Sequence, residues 1–580
     1  MKKRNIIYSL VLLSIQLGFS QYTLKNVEDV NWYSNIAQEK IFVHQNATLL
    51  FSGEQLSYKV YCLNAKTNTY TNNSKIAYVE LIGKDGLVFK HKLRLENGTG
   101  QSNFYIPSSV KTGHYKLIAY TQWMKNGEEG NYFQSDLGII NPYTKISFDE
   151  NGDSGLANET KLTNRYQQID LKTDSDTYNK REEVNLTIKS LNAANAYGNY
   201  SLSVRRVDEL PNQFSIMSSN SINDRYNQSI GTKKAVGESI YLPEFKGEMI
   251  RGKVVNPNTG KLTKKIEVSL SILSDEAYQD IILTNDQGIF YFHLADAYSQ
   301  SKAMIQVLGD DRANYKIEID NHESIRLSNL EFNELQINSN FEKQIIERSV
   351  QNQIQNAYLE IKQDRLITPF YKEPFFGNHM VTYQLDDYKR FPTVAETLIE
   401  VVENAWHERG KGKQRFINVR ERQNDPYYEV DILPMLVVDG ALIQDHDIVM
   451  DLDASLVESI SVLRDEYYYG NRVYQGVLMV NTIEGNYYNN LSESYIKLID
   501  LFSPQLAVAH FKQDYNIESD SERIPDYRNQ LLWFPYFQFQ APSRTIQFFT
   551  SDVKGKYLIS LEGFTISGVP ISIKKLITVN

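Results

Sequence analysis

Apolar and polar residues alternate along most of this chain. Residues 47–64 read ATLLFSGEQLSYKVYCLN, 75–95 read KIAYVELIGKDGLVFKHKLRL and 100–126 read GQSNFYIPSSVKTGHYKLIAYTQWMKN. Alternation of period two puts successive side chains on opposite faces of a strand, so these stretches predict half-buried strands. Gly53, Gly83, Gly86, Gly98, Gly100 and Gly113 punctuate them at turns. The pattern returns in 175–192 (SDTYNKREEVNLTIKSLN), in 197–209 (YGNYSLSVRRVDE), in 246–273 and 281–294, and again from 526 to 580. Antiparallel sandwiches are the expected outcome.

Two segments depart from it. Across 341–362, Ile345, Val350, Ile354, Tyr358 and Ile361 recur near helical spacing and predict a connecting helix packed on a neighbouring domain. A second helix is predicted over 393–406. A basic run follows, carrying Arg409, Lys411, Lys413, Arg415, Arg420 and Arg422. Alternation through 414–420 suits an exposed strand with a charged outer face; phosphates of a lipopolysaccharide or an acidic partner are the competing use of the charge. Residues 212–238, rich in Ser and Asn, predict a linker or long loop.

Residues 433–485 have their own order. Residues 434–438 read as a buried strand that stops at Asp439-Gly440. A short helix over 454–458 precedes a strand at 459–463 with apolar Ile460 and Val462. A turn at 467–470 leads to a last strand at 476–483. Val437, Ile460, Val462, Val477 and Val480 are the expected core of this piece.

Composition narrows the setting. A chain of 580 residues predicts about four or five domains. Its 39 Tyr and 26 Phe fit many short strands. A net charge of −10 argues against nucleic acid as partner. With one cysteine no intramolecular disulfide is available, and Cys62 in YKVYCLN reads as a small buried hydrophobe. Lys2, Lys3 and Arg4, the apolar run 6–17, and Gly18 and Ser20 at the −3 and −1 positions predict a secretory signal cleaved before Gln21. That run is too short to span a bilayer, and no later segment is apolar enough to do so. The expected mature protein has no transmembrane span of its own and lies in an envelope or extracellular space.

Local catalytic patterns are missing from the sequence. His322 and His407 each precede a Glu, without the second His of a zincin helix. There is no nucleophile elbow, P-loop or dinucleotide fingerprint. The acidic group Asp439, Asp445, His446, Asp447, Asp451 and Asp453 lacks the spacing of an EF-hand and reads as loop residues capping the following helix. No catalytic residue, cofactor or metal is assigned.

Several segments resemble known families. Ser52-Gly53-Glu54, Ile106-Pro107 and Thr112-Gly113-His114-Tyr115, leading into Leu117, Ala119, Tyr120 and Thr121, resemble the MG2 domain of alpha-2-macroglobulin-like proteins. The next segment resembles the neighbouring MG3 domain less specifically. Gly252-Lys253-Val254-Val255 and Asn285-Asp286-Gln287-Gly288 before the strand 289–294 resemble the carboxypeptidase regulatory-like fold, a non-catalytic sandwich. The set Val438, Asp439, Gly440, then Glu458, Ile460, Val462, Leu463 and Asp465, then Gly470, Gly476 and Thr482 resembles the plug domain of TonB-dependent outer-membrane receptors, departing from it at Arg464 and in a longer acidic loop. Asp526, Arg528, Trp533 and Pro535, with Lys554-Gly555-Lys556-Tyr557 and Glu562-Gly563, resemble the terminal domain of macroglobulin-plug proteins of Bacteroidota-type bacteria. Protease-trapping macroglobulins use a Cys-Gly-Glu-Gln thioester. Ser52-Gly53-Glu54-Gln55 places a hydroxyl there, which cannot form it.

The resulting expectation is a mainly β protein of tandem sandwiches with a small α/β plug-like domain and connecting helices. Its divisions are a signal peptide (1–20), an MG2-like sandwich (21–142), a second macroglobulin-like sandwich and linker (143–246), a regulatory-like sandwich (247–325), a helical connector (326–406), a plug-like domain (407–486), and a connector with a C-terminal sandwich (487–580). A plugged transporter needs about 22 strands of roughly 9–11 residues, which the chain after Gly485 does not supply. The implied role is non-enzymatic binding or scaffolding in the periplasm, at the outer membrane or at the cell surface, with a protein partner. Two rivals stand beside it: part of a TonB-dependent transport system meeting a separate barrel, and a hydrolase with a site assembled between domains.

Overall fold

The structure, a computed structural model, describes residues 21–128, 131–146, 148, 168–191, 197–207, 210, 214–225, 233–273, 278–295, 298, 301–320, 325, 330–367, 379–410, 414–421, 432–516 and 523–580. The expected signal segment, and Lys411, Lys413 and Arg422 of the basic run, lie outside these residues. The fold is mainly β and is built as several packed sheets.

Alternation produces the first sandwich. Glu39–Gln45, Gln55–Asn64 and Thr99–Tyr105 form one sheet. Leu49–Phe51, Phe133–Ile140, Gly113–Tyr120, Ile76–Gly83 and Gly86–Arg94 form the other. Val60, Val79, Leu117 and Leu137 lie in the shared core. Strand Gln55–Asn64 is buried on both faces, because a second sandwich covers its outer side: Phe42 and Tyr61 meet Phe564 edge-on at 5.7 Å.

That second sandwich draws on two distant stretches of chain. One sheet orders Ile169–Thr173, Glu183–Ser190 and Ser543–Phe549. The other orders Thr177–Tyr178, Pro570–Val579, Gly555–Thr565, Gly198–Arg206 and Gln530–Phe537. The segments 143–246 and 487–580 were expected to carry separate sandwiches; their strands instead interleave around one core containing Leu186, Leu202, Leu532 and Leu561. Strand Gly198–Arg206 has partners on both edges, and both come from the C-terminal stretch. Local alternation marks a strand but carries no information about its distant partner.

The third sandwich repeats this arrangement. Ile289–Leu294, Glu248–Val255 and Lys316–Ile319 face Tyr278–Leu283, Glu267–Ile272, Lys302–Val307 and Ile496–Asp500. Its last strand arrives only after a fourth, α/β unit has been completed. The fourth unit is therefore inserted in the third, and the third lies between the two halves of the second.

The fourth unit has a sheet ordered Val381–Gln384, Val457–Tyr469, Arg472–Thr482, Met435–Val438, Ala441–Ile443. Helices Val394–Glu400 and His446–Met450, and the hairpin Ala405–Arg409 with Arg415–Val419, cover one face. The sheet recruits Val381–Gln384 from the stretch expected to be a helical connector. The helix predicted over 393–406 ends at Glu400. Asn404 turns the chain at φ +66°, and 405–409 pairs as a strand. The helix expected over 454–458 is a single 3-10 turn, Ala454–Leu456, after which Val457 already starts the strand.

The long helix is Glu342–Ala357. Its buried face keeps Ile345 of the expected apolar stripe but then turns away from it: Arg348 and Ser349 are buried, while Val350 is 48 % exposed. Polar contacts set this orientation. Arg348 donates from Nε and Nη2 to the two oxygens of Glu54, at 2.8 and 2.9 Å. Asn352 and Asn356 donate to the carbonyls of Ser52 and Gly53 at 3.1 and 3.0 Å.

Candidate functional site

The eleven motif residues of the fourth unit divide by position. Val438 ends a strand that runs parallel to 477–480. Asp439 follows at φ +47° and Gly440 at +80°. Short polar side chains and glycine tolerate that region best. The Asp439 carboxylate is buried and accepts three bonds: from the Thr482 N–H at 2.7 Å, the Thr482 hydroxyl at 2.5 Å and the Tyr487 N–H at 2.8 Å. The Asp439 N–H donates to the Val480 carbonyl at 3.0 Å. The turn and the end of the last strand are thus one hydrogen-bonded piece.

Val438, Ile460 and Val462 face the helices, packing with Val394, Leu398 and Val449. Leu463 lies in a second cluster with Met435, Val437, Val477 and Met479. Val437, Ile460, Val462, Val477 and Val480 are all buried. Gly476 sits at φ +82°, where a Cβ would stand 2.5 Å from the Leu463 carbonyl oxygen. The ladder shifts register between Leu463 and Glu466, which places half-buried Asp465 in the bulge. Glu458 is exposed. Gly470 is remote from the others, at the tip of the long hairpin against Ile281.

Sequence reasoning missed how this unit is attached. The outer face of the third sandwich presents Ile281 and Leu308 to the Leu463 cluster. Edge strand Ala441–Ile443 finds side chains where another strand would be. Gln279 donates to the Gly440 carbonyl at 2.7 Å, Gln306 donates to the Leu442 carbonyl at 2.6 Å, and the Leu442 N–H donates to the Ser271 hydroxyl at 3.3 Å. Gln444 donates back to Gln306 and to the Val307 carbonyl, both at 2.9 Å. In EVSLSI and AMIQV, Ser271 and Gln306 alternate with core Leu270, Ile272, Ile305 and Val307. Such alternation normally marks a solvent-facing side, so the signal pointed the wrong way.

The charged groups pair with one another. Arg415 binds Asp447 at 2.6 Å and Asp451 at 2.8 Å. Asp445 and Asp453 cap the short helices through the N–H groups of Asp447 and Ser455, at 3.0 and 2.8 Å. His446 accepts from the Ile417 N–H at 3.0 Å, and burial pushes its imidazole down to about 4. Among the described residues no group of three or more His, Cys, Asp or Glu is placed to hold a metal ion.

Elsewhere the reactive-looking groups are enclosed. Cys62 is buried, and burial pushes its thiol well up. His44 and Ser201 share a bond of 2.6 Å, but they are 1 % and 0 % exposed, out of reach of a substrate. His510 sits between the Asp364 carboxylate at 3.1 Å and the Gln101 amide oxygen at 3.3 Å, and among the described residues no hydroxyl is bonded to it. In the Ser52-Gly53-Glu54-Gln55 turn, Glu54 binds Arg348 and Arg205. Burial pushes its carboxyl up, and the two guanidinium charges outweigh that and hold it at about 2.

No protein-family model matches the chain, and no curated protein matches it. Among solved structures the neighbours are bacterial alpha-2-macroglobulins. The Salmonella protein reacted with methylamine is 8 % identical, with a TM-score of 0.23, and the match covers 94 % of this chain and 40 % of that one. The native Escherichia coli protein is 10 % identical, with a TM-score of 0.23, covering 96 % and 41 %. The Escherichia coli adhesin FdeC matches 30 % of this chain and 48 % of its own, at 14 % identity and a TM-score of 0.14. The chain spans about two fifths of the macroglobulins it is similar to.

Proposed function

We propose that this chain is a non-enzymatic binding or scaffolding protein of the bacterial cell envelope, exported by its N-terminal signal, and that the 381–485 unit is the part that binds a protein partner. One observation carries the reading. Among the described residues the unit is fastened to the third sandwich by the Leu463 cluster, by the edge strand Ala441–Ile443, and by Leu273 and Met304 packing into the helix-facing core. The helices on the opposite side turn Ile399 and Ile448 outward, 62 % and 38 % exposed. The plug-like sequence motif supplies the partner class, an outer-membrane barrel encoded on another chain. Enclosure of the Ser–His pair counts against the hydrolase reading. Among the described residues no helix is long and apolar enough to cross a membrane.

The test is affinity capture of the tagged mature chain from detergent-solubilised envelope, followed by mass spectrometry, beside a variant carrying Ile399→Glu and Ile448→Glu. An outer-membrane barrel protein enriched with the parent and lost with the variant supports the reading. Equal recoveries from both proteins, or turnover in a hydrolase substrate panel, would overturn it.

A further inference from the structure

The first and third sandwiches meet over a set of buried charges that do not balance. Glu244, Glu248 and Lys92 are 1 %, 4 % and 2 % exposed. Lys92, from strand Gly86–Arg94, gives its ammonium to Glu248 at 2.5 Å. The Tyr298 hydroxyl donates to the same carboxylate. Among the described residues Glu244 receives only the Tyr78 hydroxyl at 3.3 and 3.4 Å and the Met249 N–H at 3.4 Å. One ammonium therefore serves two carboxylates in a site closed to water. The neighbouring Glu80 and Lys90 are already paired at 3.0 Å, with Tyr120 donating to Glu80 at 2.8 Å, so they bring no spare cation. The returning chain completes the contact: the Gln505 N–H donates to the Lys92 carbonyl at 2.7 Å, and Lys92 lies over the Phe502 ring at 5.0 Å.

We propose that this contact is a proton-dependent joint, closed while Glu244 is protonated and loosened when it ionises. A buried second carboxylate without its own cation is costly when charged and cheap when neutral. Burial first, then the Glu248 charge, pushes Glu244 up to about 8. The folded value lies above the ordinary carboxyl value of 4.5, so this group's stabilisation is complete below that value and is lost as pH rises through about 8. Loosening would free the third sandwich and the unit inserted in it from the first sandwich, without touching the Asp439 turn.

Hydrogen exchange on the full mature chain, corrected for the intrinsic rate at each pH, decides it. Between about pH 6 and about pH 9, amides of 244–250 and 500–505 are expected to lose at least about tenfold in protection, while those of 457–463 keep theirs. Glu244→Gln fixes the neutral form and is expected to keep protection at both values. Glu248→Gln leaves Lys92 to Glu244 alone and is expected to flatten the response too, which decides the matter if Glu244→Gln does not fold. Equal protection of the parent at both pH values, or a parent-like loss in the variant that folds, would overturn the proposal.

Discussion

Asp439 and Thr482, 43 residues apart, are joined twice: the Asp439 carboxylate accepts both the backbone N–H and the hydroxyl of Thr482. A third bond, from the Tyr487 N–H, reaches the oxygen that the Thr482 hydroxyl uses on the same carboxylate. Removing it strands buried donors, each costing about 1–3 kcal/mol. Asp439→Ala is expected to lower the stability of the 381–485 unit by about 3 kcal/mol, read as lost hydrogen-exchange protection in 435–443 and 477–487. Unchanged protection there would show that the carboxylate contributes little.

Val462 is 2 % exposed in the core beneath the two short helices. Val462→Asp buries an unpaired charge, a change that single domains rarely survive. The 433–485 region is expected to become protease-labile while the first sandwich, with a core of its own, stays resistant. Simultaneous lability of the whole chain would mean that nesting has fused these units into one cooperative fold.

Gly476→Ala meets two obstacles, the positive φ and the Leu463 oxygen 2.5 Å from the new Cβ. A loss of about 1–3 kcal/mol is expected from backbone strain, before any clash. Gly260→Ala is the control: its φ is +65°, but the added methyl meets nothing within 4 Å. Denaturant midpoints should therefore fall further for position 476.

Glu54 fastens the long helix to the first sandwich through Arg348, with Arg205 from the second sandwich on the same carboxylate. Its folded value of about 2 lies below the ordinary 4.5, so its stabilisation is present above 4.5 and is lost as pH falls through about 2. Glu54→Gln leaves both buried guanidinium groups short of their anion, at a cost of about 3–5 kcal/mol. Exchange of the 342–357 amides is the measurement; an acid response in the variant equal to the parent's would refute the assignment.

Alternation by itself determined that this is a mainly β protein, and it located most strands, because burial of one face repeats every second residue and is written locally. Three strand segments between Met435 and Thr482 and the apolar core residues Val437, Ile460, Val462, Val477 and Val480 were legible in the same way; strand Ala441–Ile443 was not, and the turn expected at 467–470 is instead paired hairpin, Tyr467 to Tyr469 facing Tyr474 to Arg472. Partnership was not. Strand Gly198–Arg206 carries no mark of its C-terminal neighbours, so two expected sandwiches became one. Gln279, Gln306 and Ser271 look solvent-facing in sequence, and only the packed structure turns them into hydrogen-bond partners of strand Ala441–Ile443. On the long helix, periodicity selected Val350, whereas the tertiary structure buried Arg348, because a carboxylate 294 residues away was waiting for it. Local patterns record how a residue relates to its own strand or helix. Which face meets which, and which charge is answered, depends on distant segments that only the folded chain brings within reach.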